Sequence, residues 1–268
     1  MAGTSCVIVL LLGTLSSALE GQADDAVLQQ AESAFVQGLQ LRSQPGAARK
    51  MFQEAAQAYA VLLERGRHNA ALFRNSGNAS LLAGDLPQAI LAYRAGLQLS
   101  PGNRALQRSL NFARAQVAYP DASAIGRAPS EQRPPWLPHI ASTWQLLMAF
   151  ITYASAWFLL TRWWLRRRGQ LLFAALVSAG LTACLVVSLT IQYQQNRQNL
   201  LHPVVVISDD GVLLRTGNGL VYPPRYETPL NRGVEARLLY ERGQWLQIEL
   251  SGGQAGWVPA EYTSRLRE

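Results

Sequence analysis

"ALFRNSGNASLLAGDLPQAILAYRAGLQLSPGN", residues 71–103, reads as a helix, a tight Gly84-Asp85 turn, a second helix and a stop at Pro101. The same helical character extends in both directions. Residues 24–119 are rich in Ala, Leu, Gln and Arg, all strong helix formers. Apolar residues recur at spacings of three and four, first at Leu28, Ala31, Phe35 and Leu39, then at Phe52, Ala55, Tyr59 and Leu62. That period predicts a series of amphipathic helices.

The stretch 71–103 resembles a tetratricopeptide repeat. Phe73 stands where the family prefers Trp, Gly77 allows paired helices to approach, and Ala89, Tyr93 and Pro101 fill the second-helix and terminating positions. Ser76, Ser80 and Gly96 depart from the usual residues. A shift back by one repeat puts Ala55 and Tyr59 in register with Ala89 and Tyr93, while Ser43 falls where the first-helix glycine belongs. A degenerate first repeat is therefore expected, its opening helix displaced by a turn at Ser43–Gly46, with residues 103–118 as a closing helix. Two repeats and a cap approach the minimum that buries a continuous stacked core, so such a domain is expected to lean on a partner. The resemblance implies that Leu72, Leu82, Ile90 and Leu97 are core. It also implies that Arg74, Asn78 and Arg108 face a groove suited to an acidic segment or a C-terminus. The alternative is that these three are solvated polar residues.

The chain opens "MAGTSCVIVLLLGTLSSALEGQADDA", whose apolar run from Cys6 to Leu15 is too short to cross a bilayer and precedes small residues. Residues 1–23 read as a signal peptide, with cleavage after Ala18 or Ala23; with no Lys or Arg before the run, an uncleaved anchor stays open. Residues 120–139, with five prolines, read as an extended linker. Residues 140–161 and 171–193 are uncharged and each exceeds the roughly 20 residues that span hydrocarbon. Between them, 162–170 carries Arg162, Arg166, Arg167 and Arg168, which marks a cytoplasmic loop and places both flanking domains on the opposite side. Trp136, Trp163, Trp164 and Tyr193 fall at interfacial belt positions. Ala174, Ser178 and Thr182 recur every four residues on the second span and suit close packing against the first. No Asp, Glu, Lys, Arg or His lies inside either span, so a transporter lacks its usual proton or ion relay.

From residue 203 to 266, short β-favouring runs alternate with Gly, Asn, Asp and Pro turns, the pattern of a small antiparallel barrel. Leu214-Arg215, Gly233, Trp245, Gly253 and Gly256-Trp257-Val258 resemble the landmarks of the bacterial SH3-like family. In that resemblance Trp257 is mainly a barrel residue, and Trp245 stays open between packing and binding. The sharper alternative is an exposed aromatic groove to which Tyr222, Tyr226, Tyr240 and Trp245 contribute.

The formal net charge of +7 is unevenly placed, with residues 162–168 carrying four arginines and no acid while residues 196–268 balance eight against eight. Such a distribution marks topology rather than a nucleic-acid-binding face. Lys50 is the only lysine; the scattered arginines read as compositional bias rather than phosphate forks. Cys6 and Cys184 form no disulfide framework or zinc spacing. His68, His139 and His202 do not converge by position, no phosphate loop or metal motif appears, and Asp209-Asp210-Gly211 reads as a turn. No cofactor and no catalytic residue is expected.

The whole is a multidomain α plus β chain: a helical repeat domain, a two-helix transmembrane hairpin and a small SH3-like β-barrel. This order resembles BatE-type proteins of the bacterial Bat, or aerotolerance, systems. The resemblance implies a non-enzymatic inner-membrane scaffold whose N- and C-terminal domains are periplasmic. It further implies partners among membrane-anchored von Willebrand factor A-domain proteins or a BatD-like protein, near a MoxR-type ATPase. A peptidoglycan-binding barrel with the repeats as spacer is the alternative of a different class.

Overall fold

The computed structural model describes residues 3–119 and 142–265 and divides into two compact units. One unit combines the helices preceding the linker with the C-terminal sheet; the other holds two long apolar helices. The linker expectation for 120–139, with Trp136 and His139, and the first two residues of the first expected span lie outside the described residues.

In the first unit, α1 (Gly3–Gln40), α2 (Pro45–Glu64), α3 (Ala70–Leu82), α4 (Leu86–Leu99) and α5 (Arg104–Ala115) follow one another through short turns. Residues 3–23, read as the leader, belong to α1. The boundaries follow from local chemistry. Asn69 accepts from the Leu72 amide at 2.7 Å, Asp85 from Gln88 at 3.1 Å, and Asn103 from Ala105 at 3.0 Å and Leu106 at 3.2 Å. Each side chain satisfies amides that the first helical turn leaves unpaired. At the end of α3 the amides of Gly84 and Asp85 return to the carbonyls of Leu81 and Ser80, closing the expected Gly-Asp turn. Arg49 adds a bond from Nε to the Ala83 carbonyl at 2.7 Å, tying α2 to that turn. Replacing Asn103 with Ala should cost about 1 kcal/mol, read as a lower urea midpoint at unchanged slope.

Neighbouring helices pack as antiparallel pairs, α1 with α2 and α3 with α4, joined by α2 against α3 and closed by α5 on α4. The close approach of α3 to α4 depends on Gly77, since a Cβ there would lie 2.5 Å from the Tyr93 ring. Ala55 and Tyr59 on α2 are buried, as Ala89 and Tyr93 are on α4. In the first helices the expected correspondence fails. Ser43 lies exposed in the turn after α1, and the matching close approach is made by Gly38, whose Cβ would meet the Phe52 ring at 2.7 Å. The helix α2 starts at Pro45, and the point of contact lies earlier in the chain than the repeat count places it, at Gly38 and Phe52 rather than Ser43 and Tyr59. Leu72 and Ile90 are core and Leu97 is half-buried, but Leu82 is 47% exposed. It ends α3 beyond the buried stripe of Leu72, Phe73, Ser76, Gly77, Ala79 and Ser80. Leu39 likewise turns to the surface, because the buried stripe of α1 runs through Ala31, Ala34 and Gly38. Ser76 and Ser80 are buried, their small side chains filling positions where larger ones were expected.

The sheet comprises β1 (Val204–Ile207), β2 (Glu235–Arg242), β3 (Trp245–Leu250), β4 (Ala255–Pro259) and β5 (Thr263–Arg265), in the order β4-β3-β2-β1-β5. β2 with β3, β3 with β4 and β1 with β5 are antiparallel, and a bulge interrupts β2 between Leu238 and Tyr240. Leu214 and Arg215 form no regular strand. Arg215 instead exchanges two backbone bonds with Trp257, at 2.9 and 2.8 Å, along the outer edge of β4. The Asp209-Asp210-Gly211 turn is present, with Asp210 accepting from the Arg232 amide at 2.9 Å.

In the second unit α6 (Ser142–Arg166) and α7 (Gly169–Leu201) form an antiparallel pair, both long and apolar enough to cross a membrane. The helix α6 continues to Arg166, so Arg162 is helical and only Arg167 and Arg168 separate the two helices. The less exposed positions of α6 include Gln145, Ala149, Thr152, Ala156, Leu159 and Trp163, and those of α7 include Leu171, Ala175, Ser178, Thr182, Leu185, Leu189 and Gln192, each set following alternating four- and three-residue steps, with the buried Ser188 beside Leu189. That 3.5-residue period is the seam of a left-handed pair. The expected Ser178 and Thr182 contacts are made: Ser178 Oγ donates to the Thr152 carbonyl at 2.8 Å, and the Thr182 and Thr152 hydroxyls lie 2.9 Å apart. Farther from the turn, Gln192 Nε2 donates to Oε1 of Gln145, which is only 2% exposed, at 2.8 Å. Gln192→Leu strands that acceptor and should destabilise the pair by about 0.6 kcal/mol, measurable as earlier unfolding in an SDS titration.

Candidate functional site

The helices and the sheet of the first unit share one hydrophobic core. Leu86, Ile90, Leu91 and Tyr93 of α4, Leu106 and Leu110 of α5, and Val117 cluster with Val205–Ile207, Leu214, Leu230, Val234, Ile248 and Val258. An isolated repeat helix keeps one face for solvent; α4 is buried nearly all round because α3, α5 and the sheet cover different faces.

On the sheet side three residues of one short stretch, Asn231, Gly233 and Glu235, make the specific contacts. Asn231 Nδ2 donates to the Ala118 carbonyl at 2.7 Å. Gly233 has φ +90°, and a Cβ on it would lie 2.8 Å from Val117 and 3.1 Å from Leu86, so both backbone conformation and space require glycine. Glu235, with no exposed side-chain surface, receives Arg114 Nε at 2.7 Å and Arg114 Nη2 at 3.1 Å and pairs also with Arg94. Two guanidinium groups from two helices thus enclose one carboxylate at the start of β2. The paired, hydrogen-bonded arrangement is what makes a buried charge tolerable. Strand alternation puts Glu235 on the opposite face from Ala236, where an acid would ordinarily meet water; here the helices cover it and the arginines replace the water. Its position among β-favouring residues in "GVEARLLYE" was the available signal, and neither arginine could be matched to it from spacing.

A cleft of about 290 Å³ opens beside this seam, lined by Leu86, Gln116, Ala118, Asp210, Asn231 and Arg232 among others. Its charged pair, Asp210 with Arg232 at 3.6 Å, is mutually neutralised.

The repeat-groove candidates fall on different footings. Asn78 Oδ1 accepts from the Tyr93 hydroxyl at 2.8 Å, which gives it a role in holding α3 to α4. Arg74, one turn earlier on α3, is half-buried, and its Nε is enclosed without a hydrogen-bond partner. Arg108 is exposed on α5, its Nε bonded to the Arg104 carbonyl at 3.2 Å. Phe112, on the same helix, is an exposed aromatic that the repeat pattern did not single out. Near the start of the stack, hydrogen bonds from Arg67 at 2.6 Å and Arg65 at 3.0 Å hold the Asp24 carboxyl below its usual range.

On the sheet, Tyr240, Gln247 and Trp257 form one cross-strand row, and the Tyr240 and Trp257 rings meet edge-on at 6.4 Å over Gln247. Trp257 is therefore half-buried on the face opposite Val258, not in the barrel core as the family landmark implied; adjacent residues of a strand cannot share a face. Trp245 is also half-buried, opposite Pro259 in register. Tyr222 is exposed at 49% and lies against Gly217, while Arg215 Nη1 fixes its loop through the carbonyls of Leu220 at 3.1 Å and Tyr222 at 2.8 Å. Tyr226 packs partly against the shared core and does not join the Tyr240–Trp257 row.

His68 bonds the Leu63 carbonyl at 3.0 Å and stacks on Phe73, and His139 lies outside the described residues. Among the described residues, no three His, Cys, Asp or Glu side chains gather where a metal ion could sit. No protein-family model matches the chain, and no curated protein matches it detectably.

Proposed function

We propose that the chain is a non-enzymatic inner-membrane scaffold in which tetratricopeptide repeats and an SH3-like domain act as one partner-binding body, in a Bat/MoxR-associated envelope stress-tolerance complex. The observation that carries the reading is the seam at Glu235: the helical stack leans on the sheet of its own chain, which leaves the first-helix face with Arg74 and Arg108 for other proteins. Sharing a core also requires residues 86–117 and 205–258 to lie on one side of a membrane, which needs an even number of crossings between them. The helices α6 and α7 are long and apolar enough to supply two, and the arginines of their turn favour the cytoplasm, which supports a periplasmic side for the shared body.

A purified Bat-type von Willebrand factor A-domain protein, or a BatD-like protein, should bind the full chain in mild detergent. Reversing Arg74 and Arg108 to Glu should weaken that complex by about tenfold or more. Equal binding by the doubly reversed chain would remove the groove from the proposal. A reporter fused after Glu268 should be active only in its periplasm-dependent form; cytoplasmic activity refutes the topology.

A second reading is supported by the row of exposed Tyr240 with half-buried Gln247 and Trp257, and by the exposed Tyr222: cell-wall binding by the SH3-like domain. Full-length chain should then sediment with peptidoglycan sacculi, and Tyr240→Ser should release it.

A further inference from the structure

The C-terminal end of α6 and the turn after it carry Arg162, Arg166, Arg167 and Arg168, and no Asp or Glu occurs anywhere from Gln132 to Ser208. None of the four has an ion-pair partner among the described residues. Two of them are nevertheless held in place: Arg162 lies over the Phe158 ring at 5.9 Å and Arg167 over the Trp163 ring at 5.4 Å. Stacking occupies one face of each guanidinium and leaves donor edges at its rim. Backbone geometry fixes the turn as well, with Arg167 at φ +50° and its amide bonded to the Trp163 carbonyl at 2.6 Å. Trp164 and Leu165, 69% and 77% exposed, stand among these charges.

We propose that this turn is a binding site for anionic phospholipid headgroups, in which the arginines take lipid phosphate while Trp164 and Leu165 enter the headgroup–acyl boundary. The inference rests on α6 and α7 crossing a bilayer. A soluble anion would answer the unpaired charge but not the exposed Trp and Leu beside it; a phospholipid answers both. Arginine suits the role because its planar fork grips phosphate oxygens in pairs.

The test uses the full chain in neutral detergent, with native mass spectrometry after addition of phosphatidylglycerol or phosphatidylcholine of matched acyl chains. Phosphatidylglycerol should be retained preferentially, and the triple variant Arg166→Gln, Arg167→Gln, Arg168→Gln should lose about tenfold or more of that preference. The corresponding triple Lys variant keeps the charge and should retain more of it than the Gln variant. No headgroup preference, or a preference unchanged in the Gln variant, overturns the proposal. Displacement by inorganic phosphate as readily as by phosphatidylglycerol assigns the turn to a free anion and overturns the lipid site. Extraction of membranes at alkaline pH reports separately on the spans: release of the chain refutes membrane crossing, whereas retention without headgroup preference refutes only the site.

Discussion

Glu235→Leu should destabilise the helix–sheet unit by about 3 kcal/mol, because it removes the charged hydrogen bonds of the part-buried Arg94 and Arg114 guanidinium groups and sets an apolar side chain between them. Urea denaturation of the full chain in mild detergent, followed by tryptophan fluorescence, reads the loss as a lower midpoint. The triple variant Arg94→Met, Arg114→Met, Glu235→Leu replaces the whole cluster with apolar groups and should recover most of it, since a buried ion cluster is rarely more stable than a well-packed apolar one. A single Glu235→Leu chain as stable as wild type would show that the cluster does not fasten the sheet to the helices.

Tyr93→Ala should cost a similar amount, about 3–5 kcal/mol, by emptying the space of the largest fully buried side chain beside Gly77. The same residue sets a limit at high pH. Burial pushes the Tyr93 hydroxyl up to about 12, above its ordinary value of 10.0. The folded state therefore holds this proton more tightly than the unfolded state does. Its contribution is complete below pH 10 and is lost as pH rises from about 10 through 12. Tyr93→Phe removes the hydroxyl and its bond to Asn78, so it should lower stability near neutrality by about 1 kcal/mol while flattening the alkaline decline. An alkaline decline as steep in Tyr93→Phe as in wild type would assign it to another group.

Much of the helical unit was legible because its signals are local. The Gly84-Asp85 turn, the Pro101 stop and the three-and-four spacing of α2 each depend on residues a few positions apart, and each has its counterpart in the structure. The same holds for Ser178 and Thr182, whose period alone identifies a packing face. Ser43 and Leu82 were misplaced for the opposite reason. Both were assigned by counting from a repeat pattern, and the early start of α2 and the end of α3 shift the chain away from that count. Trp257 shows a further limit, since a landmark says that a residue recurs but strand alternation decides which way it points. Least legible was the seam, because Glu235 meets arginines 141 and 121 residues away and no periodicity relates them. The need for such a contact was legible even so: a short helical stack that cannot close its own core implies something to cover it.

That distance in sequence also gives the unit a history. The segment Asn231–Glu235 is made after both apolar helices, so Leu86, Val117, Arg94 and Arg114 must wait through the synthesis of α6 and α7 before their cover exists. Until then the helical stack is an unfinished protein with apolar surface and two unneutralised arginines on view. Long-range closure of this kind is slow and exposes intermediates to aggregation. A chain truncated before residue 231 should therefore be recognised by quality-control proteases as incomplete, however well its helices form.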